Sequence, residues 1–365
     1  MTARALSQAL SRPLPRSAVL AVVALLLGAG GCESNVAGLA HETTGAATSA
    51  IVHGTDSDAT QDAVVLVEHY DAIQIGGAAA GCSGTLLTPR LVLTARHCVA
   101  DTDETLACDS AGNPTSGGAV HADHVASKMF AFGGAQRPDF LSGLDTGAQG
   151  VEIIDDASLS LCNHDIALVL LDRAVPGAKI APVRLNDGPR ASEIVTVVGW
   201  GVSDKSSDPA VRQQRTGVTV LTVGPASGLG PAEFEVGESG CAGDSGGPAL
   251  SASGAVLGVL SRGGNGSGAM PGDPANCVGA DNIFTKASSF KDLILAAYAK
   301  AGQDPWNEGD PDPRTLPPKP PAAPKSSGCE VAATSLGSPS SSPSSFAIGL
   351  LCAITACVIR RRPRS

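Results

Sequence analysis

Gly243-Asp244-Ser245-Gly246-Gly247-Pro248 sets a serine between glycines, with an aspartate just before it. A serine hydroxyl attacks a carbonyl only when the backbone presents it and a base takes its proton. Glycines on both sides let the chain turn tightly and leave N–H groups pointing into one small space, where an oxyanion can sit. Gly, Asp, Ser and Pro also make ordinary surface turns. The hexamer therefore needs partners elsewhere in the chain before it implies chemistry.

Those partners lie upstream, in order. Leu93-Thr94-Ala95-Arg96-His97-Cys98 ends an apolar run on a histidine beside a cysteine, and Asp165-Ile166-Ala167-Leu168-Val169-Leu170 opens an apolar strand on an aspartate. Ile51-Val52-His53-Gly54 stands in front, and Val198-Gly199-Trp200-Gly201 lies between the second motif and the last. With these motifs, residues 51–302 resemble the trypsin/chymotrypsin family of serine endopeptidases, whose order His, Asp, Ser differs from that of other serine hydrolases. The resemblance implies an all-β fold of two six-stranded antiparallel Greek-key barrels with a closing helix and an active site in the cleft between them. It also implies a catalytic triad of His97, Asp165 and Ser245, an oxyanion hole from the amides of Gly243 and Ser245, protein or peptide substrates and no cofactor or metal.

Further roles follow from the same resemblance. A new N-terminus at Ile51 pairs with Asp244. Because Ala50 precedes Ile51, the activator is a non-tryptic protease or the chain itself cutting after a small residue. Ser239 lies at the base of the specificity pocket, where the trypsin branch has Asp, so cleavage after uncharged residues is expected. Glu238 is next to it and is expected to point elsewhere. Ser261 to Gly263 forms the edge that pairs with substrate backbone, with Gly263 leaving the pocket mouth open and Asn282 on the pocket wall narrowing it. Arg262 stands where the family has Trp, and Arg96 where it has Ala. A catalytically inactive binding module, or an adhesin, on the same scaffold is the alternative, because a fold does not fix a function.

Composition agrees with short strands and many turns: 44 Gly, 25 Pro, 3% aromatic and 16% charged residues. Strands are expected at 64–67, 84–87, 91–94, 166–169, 195–198, 217–220 and 255–259, where Val and Thr runs meet Gly, Pro or Asp boundaries. Phe290, Leu293, Ile294, Ala297 and Tyr298 share one helical face. The net charge of −10 argues against nucleic acid as a partner. Six cysteines in the domain, Cys82, Cys98, Cys108, Cys162, Cys241 and Cys277, suit an oxidising compartment. Their spacing lacks the C-x-x-C of a zinc site and leaves the connectivity open. The family resemblance implies Cys82–Cys98 and Cys241–Cys277, which leaves Cys108 with Cys162.

The segment 101–156 reads as a long insertion, rich in Gly, Ala, Ser and Asp and poor in strand signals. Asp101, Asp103 and Glu104 are read there as a solvated acidic turn rather than a calcium site, and His121 and His124 as surface residues.

The flanks carry addresses. Residues 1–31 read as a secretory signal: Arg4, Arg12 and Arg16 precede an apolar run at 18–27 that is too short for a spanning helix. Gly30-Gly31-Cys32 resembles a bacterial lipoprotein box, with Ala29 where Leu is usual, and offers membrane anchoring through Cys32. Residues 32–50 read as a pro-segment and 303–345 as a Pro/Ser/Gly-rich linker. Residues 346–365 form an apolar tail with a basic end that, with Gly328-Cys329 upstream, resembles myxobacterial C-terminal sorting tails. The chain is thus expected in the secreted space or on the extracellular surface.

Overall fold

Twelve strands of three to eleven residues close two barrels of identical order. The computed structural model describes residues 42–43, 51–70, 80–138, 146–203, 209–267 and 273–316. The signal, the lipoprotein box, most of the pro-segment, the linker beyond 316 and the C-terminal tail lie outside the described residues.

The first barrel comprises β1 (Val64–His69), β2 (Ala80–Thr88), β3 (Leu91–Thr94), β4 (Met129–Phe132), β5 (Ala148–Ile154) and β6 (Ala167–Leu171). They are ordered β4-β5-β6-β3-β2-β1, and antiparallel pairing of Met129 with His69 closes the ring. The second comprises β7 (Ile194–Gly199), β8 (Gln213–Val223), β9 (Glu233–Val236), β10 (Pro248–Leu250), β11 (Val256–Gly263) and β12 (Asn282–Lys286). Their order β7-β10-β11-β12-β9-β8, closed by β7 against β8, repeats that of the first. Closure gives each barrel strand a neighbour on both sides, although Arg262 and Gly263 at the end of β11 pair with β12 alone.

The continuous apolar runs have a physical reason. In β3, Leu91, Val92 and Leu93 are all fully buried. Val92 points into the first barrel with Val65, Val67 and Val169, while Leu91 and Leu93 face outward onto a second cluster with Leu168, Val198 and Val259. A strand covered on both faces carries no polar alternation. Helix α1 (Lys291–Ala301) seals that outer cluster with Ile294, Ala297 and Tyr298. It ends where Gly302 adopts φ +70°, a left-handed cap that suits glycine.

Two sequence expectations need correction. The segment 101–156 is not poor in strands: it holds β4, β5 and two small hairpin pairings, Thr105–Cys108 with Pro114–Gly117 and Ala100–Thr102 with Val120–Asp123. Ala148-Gln149-Gly150 has low strand propensity, and the barrel neighbours impose its pairing. Residues 303–316, expected as the start of a linker, instead pack on the domain. The Val183 amide donates to Trp306 O at 2.9 Å, and Arg184 pairs with Glu308.

All three disulfides form: Cys82–Cys98, Cys108–Cys162 and Cys241–Cys277. No helix among the described residues is long and apolar enough to cross a membrane.

Candidate active site

His97 hangs from a short 3-10 turn, Arg96–Cys98, directly after β3. Asp165 lies two residues before β6. Since β3 and β6 pair side by side, with Ala167 opposite Thr94, the two residues meet at one end of the first barrel. His97 Nδ1–H donates to Asp165 Oδ2 at 2.8 Å, and the His97 amide donates to Asp165 Oδ1 at 3.0 Å. Two bonds to one carboxylate fix both the position and the tautomer of the ring, and Nε2 is left as the free nitrogen. Among the described residues that buried Nε2 has no hydrogen-bond partner.

Asp165 is completely buried. Burial pushes its carboxyl up, but the charge and hydrogen bonds of His97 outweigh burial and hold it below the usual range. The Ser261 hydroxyl reinforces this as a weak donor outside good hydrogen-bond geometry.

Ser245 comes from the second barrel, on the loop between β9 and β10. The Ser83 amide of β2 donates to Ser245 O at 2.8 Å, so this loop lies against the barrel that carries His97. A Cβ on Gly246 would collide with Thr94 Oγ1 and the Ala95 amide, at the end of the strand leading into His97. Gly246 also needs φ +76°, so glycine is required there twice over. Gly243 takes φ +91°, and neither its amide nor that of Ser245 has an acceptor among the described residues. Ser245 itself is half-buried. The arrangement offers a reachable hydroxyl, an imidazole held by a carboxylate, and two unengaged amides on the loop of the hydroxyl.

A metal does not fit beside it. The Cys82 and Cys98 sulfurs lie within 4.8 Å of a His97 ring nitrogen. They are consumed in a disulfide, so the cluster offers one imidazole and no thiolate. Asp103 accepts from the Ala119 amide and from His121 Nε2, so the acidic turn at 101–104 is internally engaged.

A family model described as trypsin matches residues 66–294. The chain belongs to the trypsin family. It is 26% identical over 262 residues to beta-fibrinogenase mucrofibrase-1 of Protobothrops mucrosquamatus, covering 67% of this chain and 87% of that protein. It is also 26% identical over 259 residues to thrombin-like enzyme elegaxobin-1 of Protobothrops elegans, covering 67% and 96% respectively. This trypsin-family chain is a serine endopeptidase with three disulfides.

The rest of the cleft sets it apart from a plain trypsin pattern. Ser239 is fully buried, and its one hydroxyl proton faces two acceptors, Asn282 Oδ1 at 2.9 Å and Gly237 O at 3.1 Å. Glu238 turns away from it, accepting from Arg215 Nη1 at 2.6 Å and pairing with His53 at 2.7 Å. Asn282 packs against Ser239, Gly240 and Gly263. Arg262 and Glu233, both without exposure, form a bidentate ion pair at 2.6 and 2.9 Å.

The sequence singled out His97, Asp165, Ser245, Asp244, Ser239 and Arg262. It missed Glu233, which receives Arg262, and Asp123 and Asp155, which flank Arg96. The available signal was Arg262 as a basic residue in an otherwise apolar strand, since a guanidinium buried there demands a carboxylate.

Asp244, like Asp165 and Glu233, is a fully buried carboxylate. It accepts from the Cys241 amide at 2.9 Å and the Gly201 amide at 2.6 Å. Burial raises it to about 7 in spite of both bonds and the more distant Arg137. Ile51 is fully buried in the core of the second barrel, and the Val52 amide donates to Ser239 O at 2.7 Å.

Proposed function

We propose that Ser245 attacks the carbonyl carbon of a peptide bond, with His97 as the base that takes the hydroxyl proton. His97 then gives that proton to the leaving amine, and water hydrolyses the acyl-enzyme by the same relay. Asp165 holds the imidazole tautomer and stabilises its protonated form. The amides of Gly243 and Ser245 bind the developing oxyanion, each contributing about 2.7–4 kcal/mol of transition-state stabilisation. The observation that carries this reading is the His97–Asp165 double hydrogen bond with an unpartnered Nε2.

Substrates are proteins or peptides cut after uncharged residues, since Ser239 provides no counter-charge for Lys or Arg. The backbone edge Ser261–Gly263 aligns them by strand addition. Cleavage before Ile51 yields an ammonium that pairs with Asp244, which burial otherwise leaves without a cation in contact. The enzyme acts outside the cytosol as a secreted zymogen, held at the surface through Cys32 or the C-terminal tail of bacterial type.

The test uses the full chain with everything before Ile51 removed. A fluorophosphonate probe is expected to label it, and Ser245→Ala to abolish the label. A labelled Ser245→Ala protein overturns the assignment, as does an unlabelled parent with Ile51 as its first residue.

A further inference from the structure

Ser83 of β2 reaches three parts of the site from one fully buried position. Its amide donates to Ser245 O at 2.8 Å. Its carbonyl accepts from Thr94 Oγ1 at 2.8 Å, at the end of the strand leading to His97. Its hydroxyl bridges two further backbone groups. Oγ donates to Gly243 O at 3.1 Å and accepts from the Trp200 amide at 3.0 Å. Among the described residues Gly243 O has no other donor, and the Trp200 amide has no other acceptor.

These contacts bear on where the Gly243 N–H points. A trans peptide unit is planar, with its C=O and N–H directed opposite ways. The unit that holds the Gly243 N–H has its carbonyl on Ala242, and the Val202 amide donates to that carbonyl at 2.9 Å. The next unit has its carbonyl on Gly243, and the Ser83 hydroxyl holds it. Gly243 itself, at φ +91°, has no side chain to resist rotation. Its conformation therefore depends on what grips the units on either side. One grip is Val202, and the other is Ser83, which is anchored in turn by Trp200 two residues before Val202. Two glycines bring these segments within reach of the hydroxyl. A Cβ on Gly199 would lie 3.0 Å from Ser83 Oγ, and one on Gly247 would lie 3.1 Å from Ser83 Cβ.

We propose that Ser83 is a positioning residue of the oxyanion site: its hydroxyl clamps the Gly243 carbonyl to the Trp200 amide and so keeps the Gly243 N–H aimed at the scissile carbonyl oxygen. The inference rests on the endopeptidase reading of Ser245 and adds a residue that acts through Gly243. Its benefit belongs to the transition state, because that oxygen gains its charge only as the tetrahedral adduct forms. Losing the clamp therefore lowers kcat and kcat/KM together and leaves KM in place.

The test compares the parent with Ser83→Ala and Ser83→Cys, each as the full chain beginning at Ile51. Active sites are counted by fluorophosphonate labelling carried to completion, so that misfolded molecules do not enter the rates. For Ser83→Ala, kcat per labelled site on a peptide anilide is expected to fall about 10- to 100-fold, less than the about 10²–10³-fold for removing a donor outright. KM is expected to stay within about twofold. The inhibition constant of the matching peptide aldehyde, whose adduct with a serine carries an oxyanion, should rise by the same factor as kcat falls. Ser83→Cys keeps a weaker donor of similar shape. It should show the same paired changes to a smaller degree, and it decides if Ser83→Ala does not fold. A merely structural role predicts a lower urea midpoint with kcat per labelled site and aldehyde affinity unchanged, and that result in an active parent overturns this inference alone. A loss carried by KM does the same. A parent that neither takes the label nor cleaves the anilide overturns the endopeptidase reading with it.

Discussion

Two fully buried carboxylates, Asp165 and Asp244, meet opposite fates for a reason visible in their partners. Asp165 has an imidazole in contact, and the pairing outweighs burial. Asn in its place would donate its side-chain N–H to Nδ1 and leave the ring proton on Nε2, so Asp165→Asn is expected to lower kcat by about 10⁴-fold at neutral pH, measured as anilide hydrolysis by the trimmed enzyme. Asp244 has only backbone amides in contact in the uncut chain, and its carboxyl rises from 3.8 to about 7. A raised folded-state value means that the uncut fold binds more protons than the unfolded chain. Its contribution is fully present below about pH 4 and is lost as pH climbs through about 7. The loss amounts to about 4 kcal/mol for a shift of about three units. The difference in urea stability between the uncut parent and Asp244→Asn should therefore change across that window and be flat on either side. In the trimmed enzyme the Ile51 ammonium supplies a counter-charge, and the window should shrink. A difference that does not vary between pH 4 and 7 would show that Asp244 is not neutralised by burial.

Strand β11 shows how a substitution readable in sequence gains its meaning only from a neighbour that is not. Arg262 was visible as a basic residue in an apolar position. Its partner Glu233 was not, because Glu233-Phe234-Glu235-Val236 alternates as a half-exposed strand would, whereas Glu233 faces inward and is fully buried. Beyond Arg262, it accepts from the Asn163 and Gly230 amides at 3.2 and 2.8 Å. Asn163 in turn takes the Ala232 amide at 2.8 Å, two residues before Asp165. The ion pair thus ties β11 of the second barrel to the segment that delivers Asp165. Glu233→Gln leaves a buried guanidinium without its anion and is expected to cost about 3–5 kcal/mol, whereas Arg262→Trp with Glu233→Met removes the unpaired charge and should cost less, its remaining cost being the Asn163 and Gly230 amides left without an acceptor. Urea midpoints of the three proteins check this, and a Glu233→Gln protein as stable as the parent would sink it. The same logic explains which elements could be read. β3 and β6 are apolar on both faces and announce themselves, and α1 shows its periodic face. β4, β5 and β9 owe their conformation to barrel closure, which no local pattern encodes. Of the site, the motif residues were legible because glycine, cysteine and strand context surround them. For Asn282, nothing in the sequence signals that its carboxamide accepts from the Ser239 and Gly240 amides.

Across the molecule, each residue of the proposed relay has a disulfide close by in sequence. Cys98 follows His97, Cys162 precedes Asp165 by three residues, and Cys241 precedes Ser245 by four. With few aromatic side chains to fill two barrels, covalent ties take over part of the work of holding loops in place. Cys82–Cys98 binds the His97 turn to β2, and Cys241–Cys277 spans the Ser245 loop and the segment before β12. Cys108–Cys162 is the one without a counterpart among the motif positions. It joins the hairpin of the 101–156 segment to the approach of Asp165 across 54 residues, in a small cluster of Leu106, Val120 and Leu161. Closing a loop of that length stabilises the fold by about 4 kcal/mol in the chain-entropy account. Replacing both cysteines by serine should therefore lower stability by about that amount, seen in urea unfolding. It should also loosen the hairpin ahead of the barrels, seen as faster proteolytic nicking between residues 103 and 123. Because Asp165 is additionally held by two hydrogen bonds from His97, activity at low temperature should persist in the double variant and fail first on warming. Immediate loss of fluorophosphonate labelling in the cold, with the barrels still folded, would instead mean that this disulfide alone orients the carboxylate.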